Sequence, residues 1–245
     1  MKVLINGAAG RMGKEVVRLC EEGFASSTIA AKVDKIGGEC LTSLEEYDGI
    51  ADVIVDFSHH SCAKEVCDYA VAKGLPVIIA TTGHSEEEKE IIFAAAKKTA
   101  IFYSGNMSVG IALLRNLVKA TLLAFPTANV EIVETHHNRK LDAPSGTALM
   151  LAKSVKEIRP AAYEVYGREG ASKREPDEIG IHSLRYGNIV GIHEVLISTD
   201  AETITLKHEA HSRAVFAEGA LTAASYMIGK KSGLYAMEDI LKDEK

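Results

Sequence analysis

Val3-Leu4-Ile5-Asn6-Gly7-Ala8-Ala9-Gly10-Arg11-Met12-Gly13 decides how this chain is read. Three apolar residues run into a glycine-rich turn, and Met12, Val16, Leu19, Cys20 and Gly23 then fall at helical spacing on one face. A buried strand that passes through a glycine loop into a helix is the setting of a Rossmann-type phosphate loop. Small residues are needed there because a side chain would keep the backbone away from a pyrophosphate. The helix start supplies N–H donors and a positive dipole end. The glycines are spaced G-x-x-G-x-x-G, with Ala9 at the middle position of G-x-G-x-x-G. An ordinary glycine turn has the same spacing, so the loop needs support from elsewhere in the chain.

That support lies downstream. Thr28–Val33 reads as a second strand, and Asp34 ends it about 20 residues after Gly13, where an acid holds adenosine ribose hydroxyls. Lys35 follows and can meet a 2′-phosphate. The set Gly7, Ala8, Ala9, Gly10, Arg11, Met12, Asp34 and Lys35 therefore predicts a site for NADH or NADPH, with Arg11 lending charge to the phosphates. Val53–Phe57, Val77–Ala80 and Ile101–Tyr103 read as further strands. Between them lie a helix carrying Ala63, Val66, Cys67 and Ala70, a Gly74-Leu75-Pro76 stop, and a Ser85/Glu88 capping box. Apolar strands alternating with helices predict a parallel sheet covered on both faces. Ala80-Thr81-Thr82 and Ser104-Gly105-Asn106-Met107 end two strands and are placed to follow the nicotinamide half, although each also reads as a simple turn.

The pattern changes after Asn106. A helix fits Ser108–Leu123, Val130–Thr135 is a strand, and a helix follows Pro144. Residues 161–180 are polar and read as a long loop. Ile189–Ser198 and Thr203–His208 are strands joined by Thr199-Asp200-Ala201, hence antiparallel. Ala214–Ile228 is a last helix closed by Gly229. The expected fold class is α/β: an N-terminal Rossmann-type doubly wound parallel sheet with a C-terminal α+β domain. The expected domains are 1–106, with 214–245 packing back on it, and 107–213.

The densest chemistry is Glu131-Ile132-Val133-Glu134-Thr135-His136-His137-Asn138-Arg139-Lys140-Leu141-Asp142-Ala143-Pro144-Ser145-Gly146-Thr147-Ala148. Histidines, an arginine and a lysine leave a strand, and Pro-Ser-Gly-Thr opens a helix. Lysine and histidine supply charge, and the helix start turns the N–H groups of Gly146 and Thr147 outward, which suits an anion. A solvated basic loop is the blander reading of the same composition. Zinc is disfavoured, since His136 and His137 are adjacent on a strand and point to opposite sides; no metal is expected.

These residues resemble the signature of the 4-hydroxy-tetrahydrodipicolinate (dihydrodipicolinate) reductase family, E-[IV]-x-E-x-H-x-x-x-K-x-D-x-P-S-G-T-A, with every fixed position met. The Gly-Arg-Met-Gly end of the glycine loop is similar to that family's cofactor loop, and the resemblance runs from Val3 to Ile240. It implies reduction of a cyclic imine dicarboxylate by NADH or NADPH in diaminopimelate and lysine biosynthesis. By position it makes His136 a catalytic proton donor or acceptor and Lys140 the proton donor. It makes His137, Gly146 and Thr147 substrate contacts. It also implies a homotetramer built through the second domain's sheet. His60 stands where many relatives carry proline.

Bulk properties agree. The 245 residues suit two modest domains, and 47% hydrophobic with 25% charged residues is an ordinary globular balance. A net charge of −6 argues against nucleic-acid or acidic-membrane partners. Cys20, Cys40, Cys62 and Cys67 show no CxxC spacing and are expected as reduced thiols in a cytoplasmic protein. A semialdehyde dehydrogenase would need a cysteine nucleophile beyond the dinucleotide domain, and all four cysteines precede residue 70. An NADH-binding redox sensor without turnover could keep the glycines and dispense with His136 and Lys140; both are present.

Overall fold

The computed structural model describes residues 1–243, so Glu244 and Lys245, the end of the segment expected to return to the first domain, lie outside the described residues. The chain divides into two compact units, Met1–Ser108 together with the segment from Arg213 onward, and Val109–Ser212.

The first unit begins with β1 (Lys2–Asn6), α1 (Arg11–Glu21), β2 (Thr28–Val33), β3 (Val53–Asp56), α2 (Ala63–Lys73), β4 (Val77–Ile79), α3 (Glu86–Ala96) and β5 (Ala100–Tyr103). Beyond the second unit it is completed by α6 (Ala214–Met227), β11 (Gly233–Tyr235) and α7 (Met237–Asp243). The sheet order is β11-β5-β4-β3-β1-β2, and every pairing is parallel. One face buries Leu4, Ile54, Val77 and Ile101 against Val66, Cys67 and Ala70 of α2 and Ile92 and Ala95 of α3. α1 and the alanine-rich α6 pack together, and α6 also meets β3, β4 and β5. Ser85 caps α3 through the expected capping box with Glu88. The short β11 and α7 have no counterpart in the sequence reading. β11 is three residues long and occupies the sheet edge, too short to show a period.

The second unit holds α4 (Val109–Ala124), β6 (Asn129–His136), α5 (Gly146–Ile158), β7 (Tyr163–Tyr166), β8 (Glu178–Arg185), β9 (Gly191–Ser198) and β10 (Thr203–Ala210). The sheet is mixed, in the order β10-β9-β6-β8-β7. β6 runs parallel to β8 and antiparallel to β9, and β9 and β10 are antiparallel as expected. α4 and α5 cover one face, burying Leu114, Val118, Leu122, Leu151 and Val155 over Ile132, Val195 and Ile197.

Residues 161–180 are not one loop. β7 and the start of β8 lie inside that range, and β9 begins at Gly191 rather than Ile189. The physical reason is that the polar residues there serve the sheet. Arg168 pairs with Glu178, while Arg174 and His182 both pair with Glu131 at 3.2 and 3.0 Å. β7 is an edge strand with no fully buried residue, so it has no apolar run to read. No helix among the described residues is long and apolar enough to cross a membrane, and none of the four cysteines is paired.

Candidate active site

Because the first sheet is parallel, the loops that follow β1 to β5 gather at one edge, where ligands of open α/β sheets sit. The glycine loop connects β1 to α1 there. Gly7 has φ +80°, and a Cβ on it would lie 2.5 Å from the Phe57 carbonyl oxygen. A Cβ on Gly13 would lie 2.0 Å from the Gly7 carbonyl oxygen. The loop is thus folded tightly on itself, and Gly10 caps α1 with no side chain of its own in the way. Its position is set by bonds from Gly7 N and Ala8 N to Val33 O, at 2.9 and 3.1 Å.

Asp34 ends β2, and its carboxylate accepts from Ala9 N at 3.0 Å and Ile36 N at 3.1 Å. The acid therefore also fixes the glycine loop, a task not visible in the sequence. Lys35 is exposed, with Nζ 3.8 Å from Glu65. Gly7, Gly10, Asp34 and Lys35 line a cleft of about 210 Å3 that continues over Phe57, Ser58, His59, Cys62, Glu65 and Thr42. A cradle that a Cβ would fill, next to a helix start and an acid, fits the phosphates and ribose of a dinucleotide. Ala8 is buried, Ala9 and Met12 are half-buried, and Arg11 is exposed at the helix start.

Ala80, Thr81 and Thr82 follow β4, and Ser104, Gly105, Asn106 and Met107 follow β5. Ser104 Oγ donates to Asn106 O at 2.7 Å, and Asn106 Oδ1 accepts from Ser108 N at 2.8 Å, so this loop turns on itself with Met107 buried. Thr81 is tied to a residue the sequence reading passed over. Buried Asp56, at the end of β3, accepts from Thr81 Oγ1 and Asn6 Nδ2 at 2.7 Å each and from Ser58 Oγ at 2.6 Å. Burial pushes its carboxyl up, and these bonds oppose that. An acid in the otherwise apolar run Val53–Phe57 was the available signal.

The signature stretch builds a second cluster, within the other unit. His136 ends β6, His137 and Lys140 lie on the following loop, and Gly146 and Thr147 open α5. Ser145 is the N-cap, its Oγ accepting from Ala148 N at 3.2 Å. Pro144 therefore precedes the cap, one residue outside the helix; serine takes the capping place because its hydroxyl can accept. Gly146 is exposed, with nothing within 4 Å of where a Cβ would stand. Lys140 Nζ sits 2.8 Å from Asp142. Burial alone would raise the Asp142 carboxyl, but the bond from Lys140 outweighs it and holds it low.

Beneath these residues lies a buried polar network that sequence reasoning missed. The registers bring it together: Glu134 faces His193 on β9, and His136 faces Arg185 on β8. Glu134 is fully buried and accepts from His136 Nδ1 at 2.5 Å, from Arg185 Nη1 and Nη2 at 2.8 and 2.7 Å, and from Ser145 N at 3.1 Å. Burial favours the neutral acid, yet the bonds from His136 and Arg185 prevail and hold Glu134 far below the usual carboxylate range. His193 Nε2 lies 3.0 Å from Ser145 Oγ, and its ring meets that of His136 edge-on at 5.2 Å. A Cβ on Gly191 would come within 3.1 Å of His136 Nε2, so glycine leaves that nitrogen room. The signal for Glu134 was the strand period, which puts residues two apart on one face.

Burial, with the His136 ring close by, pushes His193 down to about 3. The native state keeps this imidazole neutral where the unfolded chain, near 6.5, takes a proton. Stability from this group is complete above about 6.5 and is lost as pH falls toward 3. Denaturant titrations at pH 7 and pH 5 should show His193→Gln losing less stability on acidification than the wild type. An identical loss in both would place the acid lability elsewhere.

Among the described residues no group of three or more His, Cys, Asp or Glu side chains is placed to hold a metal ion.

Both units match known proteins. The family model for the dihydrodipicolinate reductase N-terminus matches residues 1–107, and that for its C-terminus matches residues 110–241. A 4-hydroxy-tetrahydrodipicolinate reductase of Caldanaerobacter subterraneus subsp. tengcongensis is 44% identical, covering 99% of this chain and 98% of its own. The protein of that name from Clostridium novyi is 42% identical, covering 99% of each. A dipicolinate-bound dihydrodipicolinate reductase from Paenisporosarcina sp. TG-14 shares the fold, with a TM-score of 0.76 at 24% identity over 98% of this chain and 99% of the other. With both of its units matched and close relatives aligned end to end, the chain belongs to the dihydrodipicolinate reductase family.

Proposed function

We propose that this protein reduces 4-hydroxy-tetrahydrodipicolinate to tetrahydrodipicolinate with NADH or NADPH, in the cytoplasm, on the route to diaminopimelate and lysine. The observation that carries the reading is the cluster at the end of β6. There Lys140, His136 and His137 adjoin the Ser145-capped start of α5, in a chain whose relatives carry the reductase name over their full length. In this reading the first unit is the dinucleotide-binding domain and the second the substrate and oligomerisation domain.

The cofactor, when bound, supplies a hydride. The remaining work falls to the chain. Gly7 to Met12 and the α1 N-terminus hold the pyrophosphate, Asp34 accepts from ribose hydroxyls, and Ala80–Thr82 and Ser104–Met107 border the nicotinamide. The 4-hydroxyl leaves as water, and hydride added to the resulting ring, which is conjugated with C=N, builds negative charge that a proton must neutralise while the C=N is kept. Lys140 donates that proton, with His136 as its partner in proton exchange. His137, Gly146 and Thr147 hold a substrate carboxylate, with the α5 start as the anion site.

A second copy of the chain is the partner in this reading, in a homotetramer formed through the outward face of β10-β9-β6-β8-β7. That face is opposite α4 and α5. It carries half-buried Val133 of β6 and Ile192 and Leu196 of β9, interleaved with Glu131, Thr135 and Glu194 in the register, a mixed surface that a second copy would cover.

The direct experiment follows nicotinamide absorbance with the freshly formed product of the upstream synthase as substrate. Turnover supports the reading; NADH binding without turnover would make the protein a sensor. The anion site has its own test. Pyridine-2,6-dicarboxylate should compete with substrate far better than the monocarboxylate. Thr147→Val should weaken it by about 10- to 150-fold, the worth of a charge-assisted hydrogen bond at roughly 1.5–3 kcal/mol. Equal binding of the two acids, or a silent Thr147→Val, would move the carboxylate site elsewhere. For the cofactor, Asp34 beside Lys35 predicts use of both forms, and Lys35→Ala should weaken NADPH selectively. Equal responses of NADH and NADPH would remove Lys35 from the 2′ position.

A further inference from the structure

We propose that Glu134 is a positioning residue for His136: its buried carboxylate, anchored by Arg185, grips the imidazole by Nδ1 and leaves Nε2 as the nitrogen that exchanges a proton with substrate. The inference rests on the reading of His136 as a proton-transfer residue.

The donors around Glu134 determine the tautomer. Oε2 takes bonds from His136 Nδ1 at 2.5 Å and Arg185 Nη1 at 2.8 Å. Oε1 takes bonds from Arg185 Nη2 at 2.7 Å and Ser145 N at 3.1 Å. An ionised carboxylate only accepts, and a guanidinium only donates. The proton on the Glu134–His136 bond therefore belongs to Nδ1, and Nε2 is the ring nitrogen free to change state. Gly191 is the neighbour at Nε2, and its missing side chain leaves that side open.

A purely stabilising role fits poorly. A buried ion pair is weak support for a fold, since apolar residues of similar volume often serve as well. Here the pair is tied to the chemistry at each end. Arg185 Nη2 also donates to Asp142 O at 2.7 Å, and Ser145 N belongs to the N-cap of α5. One carboxylate thus sets the histidine, the loop that carries Lys140, and the helix start. Carboxylate partners of this kind fix ring orientation in other histidine sites.

The test combines two variants with a measurement on the unmodified protein. Nitrogen-15 spectra of histidine-labelled wild-type protein should show neutral His136 as the Nδ1–H tautomer; the Nε2–H tautomer would overturn the proposal. Glu134→Gln should lower kcat by about 10²–10⁴-fold, with NADH affinity little changed and the tautomer mixed. A wild-type kcat in Glu134→Gln would overturn it as well. Removing Glu134 strands Arg185, so Glu134→Gln/Arg185→Met serves as the balanced control. If this folded double variant stays slow with the His136 tautomer mixed, the carboxylate positions the ring; slow turnover with the Nδ1–H tautomer retained would overturn the proposal. If it regains wild-type kcat, Glu134 only balances charge and the proposal is wrong. Should wild-type protein fail to turn over the imine, the proposed function falls, while the tautomer measurement still decides how His136 is held.

Discussion

Lys140→Ala is expected to lower kcat by about 10²–10⁴-fold while the dissociation constant for NADH stays near the wild-type value. The lysine lies in the second unit, whereas the glycine cradle and Asp34 belong to the first. Its side chain is half-buried, at 22% exposure, and its ammonium rests 2.8 Å from Asp142. An anionic substrate carboxylate offers it a competing partner. Alanine removes that donor. His136→Ala should show a loss of the same order for a different reason. It empties a buried place beside Glu134 and removes the ring that Glu134 and Gly191 accommodate. Because the two side chains would serve one proton transfer, the double variant should lose much less than the product of the single losses. Steady-state kinetics with parallel titration of NADH fluorescence provides the check. Matched losses in NADH affinity and kcat would contradict the assignment of either residue.

The second large effect concerns the fold and the cofactor together. Gly13→Ala places a methyl group 2.0 Å from Gly7 O and 2.7 Å from Ala8 Cα, and both obstacles are backbone. Neither can swing aside, so α1 must shift away from the loop. Overpacking of this kind costs about 1–3 kcal/mol or more. At about 2–4 °C per kcal/mol for a chain of this size, a drop of several degrees in Tm follows. NADH affinity should fall with it, because the N–H groups at the α1 start move away from the phosphates. Gly10→Ala makes the comparison, since its Cβ would stand 3.2 Å from Gly7 O and needs only a small adjustment. Equal melting and equal binding of the two variants would mean that the close approach at Gly13 is unimportant.

The parallel sheet was legible because its strands are buried on both faces and so read as plain apolar runs, Val53–Asp56 and Val77–Ile79 being the clearest. The signature stretch was legible because its charged residues crowd a strand end and a helix start. What escaped notice needed a neighbour to make sense. Gly180 of β8 looks like a loop residue until Glu131 is placed over it, where a Cβ would lie within the space of the carboxylate. Glu134 looks like one more acid in a polar cluster until Arg185 and His193 are brought to it from strands about fifty and sixty residues later. Asp34 was placed by its position after β2, but its grip on Ala9 N depends on where the loop folds. Pairing across a sheet is set by distant residues, and no local period announces it.

The return of the chain into its first unit has a consequence for biosynthesis. The segment Val109–Ser212 is contiguous, whereas α6 and β11 reach the first unit only after that segment has been made. On the ribosome, residues 1–108 would emerge with the part of their sheet that α6 covers, over β3, β4 and β5, exposed and the edge of β5 open. The later segment can close its own core of α4 and α5 over Ile132 and Val195 in the meantime. Order of synthesis and order of completion are therefore opposed: the domain that starts first finishes last. During that interval the exposed apolar strands are the ones a chaperone would be expected to shield.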